Sequence, residues 1–383
     1  MEYLNALFPR AAREGVSDIH FEDDGDHCFI RFRNRGVLEI VDVVSRQVSA
    51  DINAKIRTRS RMALVERMSP LDGKFGFQVD GRVVDVRVSV LPLGSGESVV
   101  CRLLDQSAHL VSLDEIRMPE DIRDAIRHII SQPQGLFLVT GPTGSGKTTT
   151  LYGILKQLNS PSIKTMTIED PIEFRIQGIV QAATNLKLTF AKALRAMLRQ
   201  DPDVILVGEI RDADTADMSL RAAMTGHQVY STLHTNSAIG AIPRLLDIGI
   251  LPDIMAGNII GIIAQRLVRR LCPHCKTPYQ AESHEARLLG GNPDAPRPII
   301  FRPCGCERCD FQGYRGRLAI MELLRLNSDL DELIARRSTA REIRQLAERQ
   351  GFVSLADDGL RRVLDGSTSI EELGRVVDLT DRM

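Results

Sequence analysis

Residues 141–148 read Gly141-Pro142-Thr143-Gly144-Ser145-Gly146-Lys147-Thr148, a G-x-x-x-x-G-K-[ST] pattern, and nothing else in the chain restricts its fold so tightly. A short apolar run, Gly135 to Thr140, precedes it, a helix begins at its end, and Thr149 is counted with the loop among the nucleotide-binding residues. Glycines let backbone N–H groups curl around phosphate oxygens without side-chain obstruction. Lys147 supplies a point charge for the β- and γ-phosphates, Thr148 a hydroxyl for Mg²⁺, and the helix that starts there its positive dipole end. Strand, loop and helix in that order imply an α/β core that takes ATP with Mg²⁺. From Gly135 onward apolar runs alternate with helical patterns, which predicts a mostly parallel sheet.

A second strand of that sheet ends in an acid. Val204-Ile205-Leu206-Val207 flows into Gly208-Glu209, and a buried strand that delivers a carboxylate to its edge is where such a site needs its second metal or water group. Upstream, Phe190 to Gln200 has helical periodicity, with Arg195 and Arg199 four apart and therefore on one face. That helix runs into Asp201-Pro202-Asp203 and the Val204 strand, an order that places the arginine pair near the nucleotide.

The first hundred residues read differently. Cys28, Ile30 and Phe32 alternate with polar positions, as in a half-buried strand. Phe75–Val79 and Arg82–Val90 flank Asp80-Gly81, a two-residue hairpin signal. Val84, Val86, Val88 and Val90 share one face of the second strand, leaving Arg87 on the polar face, and Arg102 follows on the next strand. The intervening Asp51–Met68 predicts a helix. The expected plan is a small α+β domain over 1–106, a polar connection over 107–118, and the phosphate-loop domain over 119–383. Its first helix starts at Pro119 and runs to about Ile130, and short helices fill Ser338–Met383.

Cys272-Pro273-His274-Cys275 and Cys306-Glu307-Arg308-Cys309 form a C-x2-C…C-x2-C set inside residues 271–315, a tetracysteine metal-binding insertion. Four thiolates gripping from two knuckles make a closed structural site, with Zn²⁺ the default and iron an alternative. Cys304 offers a competing C-x-C pair, and Cys28 and Cys101 fall in strands as core residues. The Pro- and Gly-rich Gly290–Pro303 reads as a surface excursion. Lysine plus arginine (49) nearly cancels aspartate plus glutamate (50), so no basic excess points to direct nucleic-acid binding. No apolar run reaches membrane-spanning length and Met1–Gly15 lacks a signal-peptide core, which predicts a cytosolic location.

Four blocks together resemble the type II secretion and type IV pilus assembly ATPases: the phosphate loop from Gly141 to Thr150, the acidic Thr167-Ile168-Glu169-Asp170-Pro171-Ile172-Glu173, Gly208-Glu209-Ile210-Arg211-Asp212, and Thr225-Gly226-His227 through Ser231-Thr232-Leu233-His234-Thr235-Asn236. Weaker similarity runs from Ser17-Asp18-Ile19-His20 to about Leu360. The resemblance implies a RecA-like P-loop NTPase core and a PAS-like N-terminal domain that closes on nucleotide. It implies that Glu169 and Glu209 share water activation and metal coordination, and that His227 and His234 link nucleotide state to subunit movement. Arg87 and Arg102 from one domain, with Arg195 and Arg199 from the other, would contact the phosphates. The implied assembly is a ring of six at the cytoplasmic side of an inner membrane, attached through a platform and recruitment proteins. Longer relatives carry a further N-terminal docking domain, for which the residues before Ser17 leave no room. A translocase of the conjugation or DNA-uptake type is the alternative. A nucleotide-gated module without turnover is disfavoured by the acids beside Lys147.

Overall fold

The structure is a computed structural model that describes residues 2–34, 36–105, 110–290 and 296–380. It divides into two compact units, Met1–His109 and Leu110–Met383. Residue 106 and the start of the expected connection, 107–109, together with part of the Gly290–Pro303 excursion, 291–295, lie outside the described residues.

In the first unit α1 (Glu2–Glu14) precedes β1 (Val16–Asp24), β2 (His27–Asn34) and β3 (Val37–Ser45); α2 (Arg46–Arg59) then leads to β4 (Leu71–Val79), β5 (Arg82–Leu93) and β6 (Gly96–Asp105). The six strands form one antiparallel sheet in the order β3-β2-β1-β6-β5-β4. Strand alternation decides its core. Ile19, Phe21, Ile30, Phe32, Val86, Val88 and Val99 are buried together with Leu4, Leu7, Phe8 and Ala11, which share one face of α1 at helical spacing. At roughly 2 kcal/mol for each large apolar side chain removed from water, that face is what holds α1 to the sheet. The β4–β5 turn forms at Asp80 (φ 49°) and Gly81 (φ 78°), the two left-handed positions a type I′ hairpin requires.

The helix expected over Asp51–Met68 is instead α2, which begins at Arg46 and ends at Arg59. Arg61 turns left-handed at φ 56°, and the Ser60 and Met62 amides close on the carbonyls of Ile56 and Arg57. Beyond Met62 the chain is a loop held from beneath. The fully buried Arg57 donates to the Ala63 and Glu66 carbonyls, both at 2.8 Å, and to Glu97 at 2.6 Å. A tertiary arginine therefore overrides helical propensity.

The second unit opens with residues 110–118 packed down rather than free. Leu113 and Met118 are buried, and Lys156 donates to the Leu110 carbonyl at 2.8 Å. Then come α3 (Glu120–Ile130), β7 (Gly135–Thr140), α4 (Lys147–Leu158), β8 (Thr165–Glu169), β9 (Val180–Ala183), α5 (Phe190–Met197), β10 (Val204–Val207), α6 (Ala213–Met224) and β11 (Gln228–Leu233). Two short helices, α7 (Ala241–Asp247) and α8 (Pro252–Met255), lead to the long β12 (Ile259–Leu271). Beyond it lie β13 (Thr277–Gln280), α9 (Ser283–Leu288), β14 (Ile299–Arg302), β15 (Tyr314–Arg325), and α10 (Ser328–Ala335), α11 (Ala340–Arg349), α12 (Leu355–Leu364) and α13 (Ile370–Gly374).

Seven strands form a sheet in the order β15-β12-β7-β11-β10-β8-β9, parallel except for β15 against β12. Both faces are covered, so its central strands are buried at nearly every position. Leu136 and Leu138 join the cluster beneath α5 and α6, whereas Phe137 and Val139 join the one beneath α3 and α4. The parallel strands begin at one edge of the sheet, the amino edge, and end at the other, the carboxyl edge. Gly135 pairs with Gln228 at the first, Thr140 with Leu233 at the second. Among the described residues no helix is long and apolar enough to cross a membrane.

Candidate active site and cysteine cluster

The phosphate loop sits at the carboxyl edge because β7 ends at Thr140 and α4 starts at Lys147. Gly141 is wedged against β12. A Cβ there would lie 2.6 Å from the Gln265 carbonyl oxygen and 2.7 Å from Ser145 Oγ, so only glycine fits. Gln265 braces the loop with both ends of its amide, donating to the Ser145 carbonyl at 2.7 Å and accepting from Thr150 Oγ1 at 2.9 Å. Lys147 Nζ donates to the carbonyls of Gly141 (2.7 Å) and Pro142 (3.1 Å), and burial holds its pKa below that of a free lysine. Pro142, Thr143, Gly144, Thr148 and Thr149 are exposed along the open side.

Glu209, just beyond β10, faces Lys147 closely enough to act on its charge. Arg211 donates to one Glu209 oxygen at 2.5 Å, and His234, at the end of β11, stands 3.5 Å from the other. Burial, then the neighbouring ammonium of Lys147, pushes the His234 pKa down, so its imidazole is neutral near pH 7. Glu169, at the end of β8, is buried and bound: Tyr152 of α4 donates to one oxygen, and Thr167 (2.6 Å) and Gln181 (3.2 Å) donate to the other.

Cys272 follows β12 directly and Cys309 stands shortly before β15, so the antiparallel β12–β15 pair brings the two knuckles together. The four sulfurs of Cys272, Cys275, Cys306 and Cys309 lie within 4.8 Å of one another. Cys275–Cys309 and Cys306–Cys309 are 3.7 and 3.8 Å apart, matching the edge of about 3.8 Å that tetrahedral metal–sulfur bonds of about 2.3 Å require. Backbone N–H groups of Gly305, Cys306 and Gly313 point at Cys275 and Cys309, as they do toward thiolates. Cys304 is exposed and outside the set.

Comparison with known proteins agrees with this geometry. The family described as Type II/IV secretion system protein matches residues 1–375. Type II secretion system protein E of Pseudomonas aeruginosa is 47% identical over 375 residues, 97% of this chain and 74% of that protein. The chain belongs to this family. Type II secretion system ATPase E of Vibrio cholerae is 45% identical over 98% of this chain and 75% of its own length. Among solved structures, the pilus retraction motor PilT with bound ADP superposes with a TM-score of 0.65 at 25% identity, covering 98% of this chain and 97% of its own. The ATPase DotB of Legionella pneumophila, at 22% identity and a TM-score of 0.71 over 98% of this chain and 95% of its own, shares the fold.

Within this member of the secretion family, three expected residues fall elsewhere. His227 precedes β11, with Nδ1 2.9 Å from the Ala222 carbonyl and its own carbonyl accepting from the Gly135 amide at 3.1 Å. It therefore sits at the amino edge, a strand's length from His234. Arg195 and Arg199 run the same way. Phe190 at the start of α5 touches Gly208 at the carboxyl edge, so the helix descends, and the Gln200 carbonyl meets Lys164 below β8. Helix α5 ends at Met197, and Arg199, in the turn beyond, donates to the Arg195 carbonyl at 2.8 Å. Sequence adjacency to β10 suggests proximity to nucleotide; Arg199 lies toward the start of that strand, and Arg195 partway along α5. Arg87 and Arg102, in the first unit, stand directly opposite each other on β5 and β6, and Arg102 pairs with Asp18 at 2.8 Å. Motif spacing in the sequence does not reveal Gln265, Arg266, Tyr152 or Gln181. None belongs to a spaced motif, and each reaches its partner only through the sheet.

Proposed function

We propose that this protein is a ring-forming motor, six copies around, that couples ATP hydrolysis to pseudopilin or pilin movement through an inner-membrane platform. That it is an ATP hydrolase follows from its family. The observation that carries the reading is the convergence of Lys147, Glu209 and His234 at the end of three neighbouring parallel strands. Lys147 and the loop amides neutralise phosphate charge, and Glu209 holds and polarises the attacking water. Mg²⁺ supplies Lewis-acid stabilisation when bound, and Thr148 with Glu209 has the hard oxygen donors it prefers. Glu169, tied down by its three donors, shapes the floor on which Glu209 works.

We read the second unit as RecA-like and the first as a PAS-like domain that closes on nucleotide, bringing Arg87 and Arg102 to the phosphates. The exposure of Arg195 on α5 and of Arg199 just beyond it suits a surface that meets a neighbouring copy. We take zinc as the metal of the tetracysteine set and a cytoplasmic place beneath an inner membrane, held by recruitment proteins. A ring motor should hydrolyse ATP with turnover that rises more than linearly with protein concentration, as subunits complete one another's sites. Strictly proportional turnover from a protein that stays monomeric with an ATP analogue and Mg²⁺ would overturn the ring.

A further inference from the structure

The segment from His234 to Ala238 crosses the carboxyl edge of the sheet along a single register row: Leu233 pairs with Thr140, Thr140 with Ala264, and Ala264 with Glu322. At each step a residue of that edge grips it. Thr140 Oγ1 accepts from the Thr235 amide at 2.8 Å. Arg266 Nη2 donates to the Asn236 carbonyl at 3.0 Å, and Glu322 accepts from the Ala238 amide at 2.6 Å. The other Glu322 oxygen accepts from the Leu355 amide at 2.9 Å, at the start of α12. A polar strap therefore runs from His234, beside Glu209, to the C-terminal helices.

Arg266 is the least expected part of it. Its side chain is buried, with the residue 8% exposed; among the described residues no carboxylate lies within ion-pair distance, although the Glu322 carboxylate acts on its charge from farther off. Its guanidinium donates at 3.0 Å to two backbone carbonyls, those of Asn236 and Gln265. A guanidinium cannot shed its proton, so this charge stays buried at a real desolvation cost. The Gln265 carbonyl is also the atom against which Gly141 is wedged, and a Cβ on Gly141 would stand 3.2 Å from Arg266 Nη1. One rigid fork thus touches both the root of the phosphate loop and the strap. A cavity of about 830 Å³ opens beyond, lined by Asn236, Arg266, Glu322 and Leu355 among others, which leaves the strap room to shift.

We propose that Arg266 is a positioning residue for hydrolysis, setting the place of His234 over Glu209 by holding Asn236 against the phosphate loop. The proposal rests on the ATPase reading of the same site. Its test is a double-mutant cycle in steady-state ATP hydrolysis, with Arg266→Gln and Arg266→Lys each made alone and with His234→Ala. Arg266→Gln should lower kcat roughly tenfold to a hundredfold, the scale of an ångström-sized misplacement, with KM for ATP little changed. In the His234→Ala background it should cost almost nothing more, because the strap then has nothing to deliver. Arg266→Lys should recover part of the rate. If the glutamine variant melts early or loses its cysteine-bound metal, the lysine variant, which keeps the buried charge, carries the same cycle. An equal loss in both backgrounds, or a loss expressed in KM, overturns the proposal. Absence of turnover in the unsubstituted protein would instead strike the ATPase reading itself.

Discussion

The two edges of the seven-stranded sheet are built from the same strands and do opposite things. At the carboxyl edge Lys147, Glu209 and His234 converge, partly exposed and held by few bonds. At the amino edge His227 and Arg199 close the ends of their own helices through backbone carbonyls, and Lys164 ties the start of β8 to the Gln200 carbonyl. Parallel strands explain the difference. Every strand's end arrives at one edge together with the N-terminus of a helix or a turn, where N–H groups and acids face open space. The parallel strands other than β9 start from a helix C-terminus, where carbonyls collect and cations satisfy them, whereas β9 is reached from β8 by a loop.

Four experiments can break or sharpen that comparison, from the largest expected effect down. Lys147→Ala should reduce ATP turnover by roughly a hundredfold to a thousandfold, since it removes the one mobile cation of the loop, and nucleotide binding should weaken with it. Normal turnover would remove the carboxyl edge from the chemistry. Glu209→Gln should cost about a hundredfold in kcat while ATP still binds and the melting temperature holds. The neighbouring Glu169→Gln should slow turnover and also destabilise by about 1–3 kcal/mol, because an amide there turns donors against donors. If both variants melt like the parent, Glu169 is not the bound floor its contacts describe.

The histidines test the edges directly. His234→Ala should slow hydrolysis in dilute protein, whereas His227→Ala should leave it nearly unchanged, with melting curves as the control. Equal losses would erase the distinction between edges. Smallest in turnover, Cys272→Ser should lower the metal content read by elemental analysis below that of the parent and loosen residues 271–315 toward protease while the phosphate loop still binds nucleotide. Cys304→Ser should leave metal content unchanged.

Features that act over short spans are legible in the sequence. The alternation of Val84, Val86, Val88 and Val90 marks a strand with one buried face because side chains in a strand change sides at every residue. The glycines around Lys147 mark a loop because only a bare backbone can approach an anion that closely. The knuckles carry their ligand spacing within themselves. Where sequence and structure part, a partner from far along the chain intervenes. Helical propensity would carry α2 on to Met68, but Arg57 directs its donors to Ala63, Glu66 and Glu97 and pulls that stretch into a loop. Arg195 and Arg199 are expected beside the nucleotide because they precede β10, yet α5 runs away from the carboxyl edge, leaving Arg195 partway along it and Arg199 beyond its end.

The sequence by itself therefore determined which residues make the glycine-rich loop, which strands are buried, and which cysteines make each of the two knuckles, since each follows from side-chain period or spacing within a few residues. Only the tertiary structure decided which motif residues meet. Strand order puts β11 and β12 on either side of β7, and that order lets the His234–Ala238 strap pass over Thr140 to Arg266 and Glu322. The same order leaves His227 and Arg199 behind. Direction along a strand is invisible to spacing, and it is strand direction that sorts an active edge from a structural one.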